Sequence, residues 1–155
     1  MSACLIDTSA WVAVSFAAHP CHLRARQALL DATGDVPWLW CRATQQSFLR
    51  LASTPALLSA YGAAKATNHD AFRALEALMS LQQVAFVDEP PGVMTLWARL
   101  ACIEQAAPKC WMDAYLAAFA LSGGWRLVSL DRDFLRYTSE GLDLQLLQPN
   151  TTPYP

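Results

Sequence analysis

Short apolar runs alternate with longer segments of helical spacing along nearly the whole chain, and this alternation restricts the fold more than any single residue does. The short runs are 3–6 (ACLI), 36–40 (VPWLW), 84–87 (VAFV), 126–130 (RLVSL) and 142–147 (LDLQLL). Each is too brief for a helix and reads as a buried strand. Between them, 8–17, 21–32, 44–53, 68–83, about 92–107 and 111–124 carry apolar residues at helical spacing. Thr8 or Ser9 caps the first of these, Thr44 the third and Asn68 the fourth. Leu23, Ala28, Leu29 and Leu30 lie near one face of the second, and Phe72, Leu75, Leu78 and Met79 recur on the fourth. His19–Pro20, Gly34, Pro108 and Gly123–Gly124 stop helices, and 57–67 reads as a loop. Strand and helix in turn specify an α/β fold, with a central, mainly parallel sheet flanked by helices on both faces. The 155 residues suit one domain over 1–148, with a loose Pro-rich tail at 149–155.

Composition narrows the class. Hydrophobic residues make up 54% and charged ones 15%, too apolar for disorder. So apolar a chain invites a partner to cover part of its surface. A net charge of −2 gives no global attraction to nucleic acid, so any such contact needs a local basic patch. No apolar run reaches the ~20 residues of a membrane span. Leu5–Ala18 is broken by Asp7 and lacks a basic leader, so it reads as a poor signal peptide. Five cysteines without a CxxC spacing read as reduced thiols of a cytoplasmic protein, and neither they nor the three histidines make a zinc set.

The acids carry the chemistry. Asp7 ends the first strand, Asp131 ends RLVSL, and Asp113 opens the helix before it. In open parallel sheets, ligands sit beyond the carboxyl ends of the strands. Asp7, Asp113 and Asp131 therefore meet at one sheet edge. Three ionised carboxylates cannot crowd together without a counter-charge, and a hard divalent cation such as Mg2+ or Mn2+ is the simplest one. Singly, each acid has a plainer use, as a cap, a turn former or a charge at a helix N-terminus. Asp133 reads as solvated or as a further polar neighbour.

The segments LIDTSAWVA (5–13), TQQSFLRLAST (44–54), WMDAYLAAFA (111–120) and LVSLDRDF (127–134) resemble, in order, those of the PIN-domain nucleases, in particular the VapC-type toxins of toxin–antitoxin pairs. The resemblance spans essentially the whole chain. It implies a PIN-like fold and metal-dependent endoribonuclease activity. The family's first, third and fourth acids fall on Asp7, Asp113 and Asp131, which it makes both catalytic and metal-binding. Ser129 falls where the family usually has a hydroxyl residue. The second acid, usually a glutamate, falls on Gln45, whose amide can coordinate or hold a water but brings no charge. A weaker or retuned metal site is expected, and a catalytically silent PIN-like RNA- or protein-binding module is the alternative. A housekeeping RNA-processing nuclease is a third reading. The resemblance also implies a cognate VapB-like antitoxin and a homodimer. Segments 8–17, 21–32 and 48–58 are contact surfaces for such partners, although core packing explains their apolar faces equally well.

An RNA substrate needs cations near those acids. Arg42, Arg50, Lys109, Arg132 and Arg136 lie in or beside the motif segments. Trp40 and Trp111 offer rings to bases, with core packing as the simpler use of both. A haloacid-dehalogenase-type phosphatase would need a second aspartate at position 9, where Ser9 stands.

Overall fold

The computed structural model describes residues 2–63 and 65–149. Five strands, β1 (Cys4–Ile6), β2 (Trp38–Trp40), β3 (Val84–Phe86), β4 (Arg126–Ser129) and β5 (Leu144–Leu146), form one sheet in the order β3-β2-β1-β4-β5. Every pairing is parallel. The chain builds outward from β1 through β2 to β3, then crosses back to lay β4 on the other flank of β1. The strand order thus reverses between β1 and β4, which marks the carboxyl end of that pair as the crevice of the sheet.

Alternation along each strand distributes the core to both faces. Leu5 lies level with Leu39 on β2 and Leu127 on β4. These three leucines pack beneath α6 (Val93–Ala101), α7 (Cys110–Gly123) and the 3-10 helix Arg132–Glu140. Their neighbours Ile6, Trp38, Trp40 and Val128 face the opposite layer of α1 (Thr8–Ser15), α2 (His22–Asp31), α3 (Arg42–Ala52) and α5 (Asn68–Met79). There Trp11 stacks flat on Trp40 at 3.9 Å, with Trp38 and Phe48 edge-on around the pair. Trp40 is therefore a core residue, whereas Trp111 is 50% exposed.

Helix boundaries differ from expectation where distant contacts decide them. The expected loop at 57–67 opens on a helix, α4 (Pro55–Ala60), with Pro55 in the first turn and Leu58 buried. Thr67, not Asn68, caps α5: its hydroxyl accepts the Asp70 N–H while Asp70 accepts the Thr67 N–H. Cys41, not Thr44, holds the N-cap of α3, and Thr44 closes the turn by accepting the Cys41 N–H at 3.1 Å. α6 stops at Ala101 rather than near 107, because the apolar spacing gives out in the exposed stretch 102–106. Leu23, Leu30 and Phe72 point outward, 69%, 57% and 51% exposed, and the inward faces are Ala25 with Leu29 and Ala71 with Leu75. The tail expected over 149–155 lies, apart from Pro149, outside the described residues.

Candidate metal centre

Asp7 follows β1 and holds the N-cap position of α1, yet its side chain makes no capping bond. Its Oδ2 instead accepts from the hydroxyls of Ser9 and Ser129, each at 2.7 Å. Both serine oxygens are in turn anchored by backbone. The Leu130 N–H donates to Ser9 Oγ at 3.1 Å, and the Asp131 N–H donates to Ser129 Oγ at 2.9 Å. With those lone pairs engaged by N–H donors, the two hydroxyl protons are committed to Asp7. The bonds stitch the end of β1 to the end of β4 across the reversal point. They also fix Asp7 in one orientation, with its other oxygen, Oδ1, free of side-chain donors among the described residues.

Three more acids converge there. Asp113 stands in the first turn of α7, Asp131 caps the 3-10 helix by accepting the Asp133 N–H at 2.8 Å, and Asp133 lies in that helix's first turn. One carboxylate oxygen each from Asp113, Asp131 and Asp133 lies within 4.8 Å of the others. Burial pushes the Asp113 carboxyl up to about 6, and the negative charges of Asp131, Asp7 and Asp133 push the same way. Burial likewise raises Asp7 above the ordinary carboxylate range, against the two serine hydroxyls, with Asp131 adding to the rise. Asp7, Asp113, Asp131 and Asp133 thus form one electrostatic unit.

Of the expected Asp7, Asp113, Asp131 and Ser129, Ser129 is bound to Asp7 and Asp113 clusters with Asp131, whereas Asp7 stands outside the 4.8 Å oxygen cluster, whose third member is Asp133, and is linked to it through charge. Gln45 does not join its hydrogen bonds. It is buried, its Oε1 accepts from Arg42 at 2.6 Å, and its Nε2 faces the Met79 sulfur at 3.7 Å. Arg42 also lies over the Phe86 ring, 4.8 Å from its centroid. Asp133 and Ser9 are more central than the sequence suggests. Their only signal is a spacing of two from Asp131 and Asp7, in DRD and DTS.

Hard cations take oxygen ligands, and two oxygens bound to one Mg2+ are at most about 4 Å apart. An all-carboxylate set spanning 4.8 Å fits such an ion with some ligands direct and the rest through water. Burial first, and then the three neighbouring negative charges, raise Asp113, and the positive charge of Arg136 does not offset them.

The PIN-domain family profile matches residues 4–140, most of the chain and all of this acidic centre. The chain belongs to the PIN-domain family. This PIN domain is 43% identical over 146 residues to ribonuclease VapC41 of Mycobacterium tuberculosis, covering 92% of this chain and 97% of that one. Among solved structures it resembles VapBC2 of Rickettsia felis bound to a promoter DNA fragment, at a TM-score of 0.66 and 12% identity over 94% of this chain and 98% of that one. It also resembles the sarcin–ricin-loop-cleaving toxin VapC20 of M. tuberculosis, at a TM-score of 0.64 and 15% identity over 90% and 96% of the two chains. At those identities the likeness concerns the fold.

Proposed function

We propose that this PIN domain is a metal-dependent endoribonuclease, the toxin of a VapBC-like pair that hydrolyses RNA phosphodiester bonds. The observation that carries the reading is the acidic unit at the strand-order reversal, in a chain 43% identical to a ribonuclease. Asp113 and Asp131, with Asp133 in the same oxygen cluster, would hold Mg2+ or Mn2+, and Asp7 would complete the set from beside them. The ion, when bound, supplies an acidified water and charge stabilisation at the phosphate. Ser9 and Ser129 keep Asp7 aimed and prevent it from swinging to cap α1. Asp131 is steadied by its own cap to Asp133, which leaves it poised to orient a water.

Substitution Asp7→Asn keeps an acceptor for both serines but removes the charge. Metal-dependent cleavage of total RNA is expected to vanish while circular dichroism and thermal unfolding stay close to wild type. Cleavage at the wild-type rate would end the assignment.

A second reading, a silent module, is favoured by one observation: the amide oxygen of Gln45 is taken by Arg42, where the family usually brings a glutamate. Titration calorimetry with Mn2+ separates the two, since absence of binding supports the module. The partners that go with the toxin reading are a VapB-like antitoxin and a second copy of the chain. Exposed Leu23 and Leu30 on α2, and Met94 at 68% exposure on α6, offer apolar surface to them.

A further inference from the structure

An acidic centre that cleaves a polyanion needs a cation placed so that it meets the phosphate without neutralising the carboxylates. Of the basic residues near the motifs, most are committed or misplaced. Arg42 is bound to Gln45 and lies on Phe86. Arg50 lies in the last turn of α3, which starts at the carboxyl edge of the sheet and runs away from it. Arg132 lies in another row of the 3-10 helix. In that geometry side chains three apart eclipse one another, so Asp133 and Arg136 share one row, while buried Phe134 and Tyr137 form the inward row. Arg136 thus projects beside Asp133. Its guanidinium carbon lies 5.9 Å from the centroid of the Tyr137 ring, and the Tyr137 hydroxyl contacts Cys110 Sγ at 3.5 Å. Cys110 is one turn before Asp113 on α7. Arg136 therefore shares a row with Asp133 on its own helix and lies near the Cys110 end of α7, the helix that carries Asp113. It is exposed and forms no ion pair within 4.0 Å among the described residues, whose salt bridges are Arg99–Glu140 and Arg126–Asp143.

We infer that Arg136 is the phosphate-positioning residue of this centre, offering N–H donors that no acid among the described residues holds to a non-bridging oxygen of an RNA phosphate at the rim of the acidic unit. The inference rests on the nuclease reading. A guanidinium lying over an aromatic ring keeps its donors directed sideways, and it presents a fork that matches phosphate better than an ammonium does.

The test compares Arg136→Gln and Arg136→Lys with Arg126→Gln, an arginine at the opposite end of the sheet. Binding of a fluorescent single-stranded RNA is followed by anisotropy across a salt series, each variant carrying Asp7→Asn so that the RNA stays intact. Arg136→Gln is expected to weaken binding about tenfold and to reduce the slope of log affinity against log salt by about 0.7, one phosphate contact. Arg136→Lys recovers the slope and part of the affinity, and Arg126→Gln changes neither. On the catalytic background, Arg136→Gln raises KM, and Mn2+ binding by calorimetry is not weakened. An unchanged affinity and slope for Arg136→Gln would overturn the inference, as would weakened Mn2+ binding with RNA binding intact. If the wild-type protein cuts no RNA, the nuclease reading fails, and the salt slope still decides the role of Arg136. If it binds no RNA at all, both fall.

Discussion

Asp113 is the residue on which the crowding of charge is most easily read. An acid whose folded pKa is raised makes its ionised form the costly one. In the metal-free protein its contribution is therefore neutral below about pH 4. Stability then falls as pH rises from about 4 to the folded value of about 6, and levels off above it. Carbon-detected NMR of the metal-free protein should show the Asp113 carboxyl titrating near 6, and Asp131→Asn should lower that midpoint. A midpoint that ignores Asp131→Asn would mean that burial alone sets it. Three of the acids were legible in the sequence because a strand end or a helix start is a local event. The environment of Gln45 was not. It depends on Met79, which is 34 residues further on, and on the Arg42 guanidinium, whose choice of acceptor is not set by sequence spacing. Arg136 was legible only as one of five basic residues, because a 3-10 row cannot be told from an α-helical face over so short a segment.

At the scale of elements, α7 is the piece that brings Asp113 to the sheet. It is apolar nearly all round and buries Ala114, Leu116, Ala117, Ala118, Phe119 and Ala120, which lets it lie close to β4 and α6. It ends against Trp125. A Cβ on Gly123 would lie 2.3 Å from the Trp125 ring, which itself packs on Phe119. Gly123→Ala should therefore displace the indole and destabilise the protein by about 1–3 kcal/mol, as read by urea unfolding. A variant as stable as wild type would show that the indole moves at no cost. Helix existence was readable from periodicity, but the ends were less so. Thr67 and Asn68 are both good caps, and Asp70 selects between them by completing a reciprocal pair with Thr67. On α2 and α5 the expected Leu29 and Leu75 do face inward, but Ala25 and Ala71 complete those faces in place of the larger Leu23 and Phe72, which the crowded sheet leaves outside.

The whole molecule adds what no segment holds, the order of the strands. Alternation implies a parallel sheet, but only long-range pairing puts β4 beside β1 and so makes a crevice there. An ion seated in that crevice binds the folded chain alone and stabilises it by mass action. Mn2+ at about a hundred times its Kd should add about 2.7 kcal/mol, a rise of several degrees in Tm that a chelator reverses and Asp113→Asn largely removes. No rise at any metal concentration would count against a cation at the centre. The bond from Ser129 to Asp7 joins residues 122 apart in the chain. Until the segment carrying Ser129, Asp131 and Asp133 has been synthesised, Asp7 has neither its second hydroxyl nor its neighbouring charges. On the proposed reading, a chain still short of Ser129 leaves the RNA around it uncut, and the activity waits for that segment to fold back onto β1.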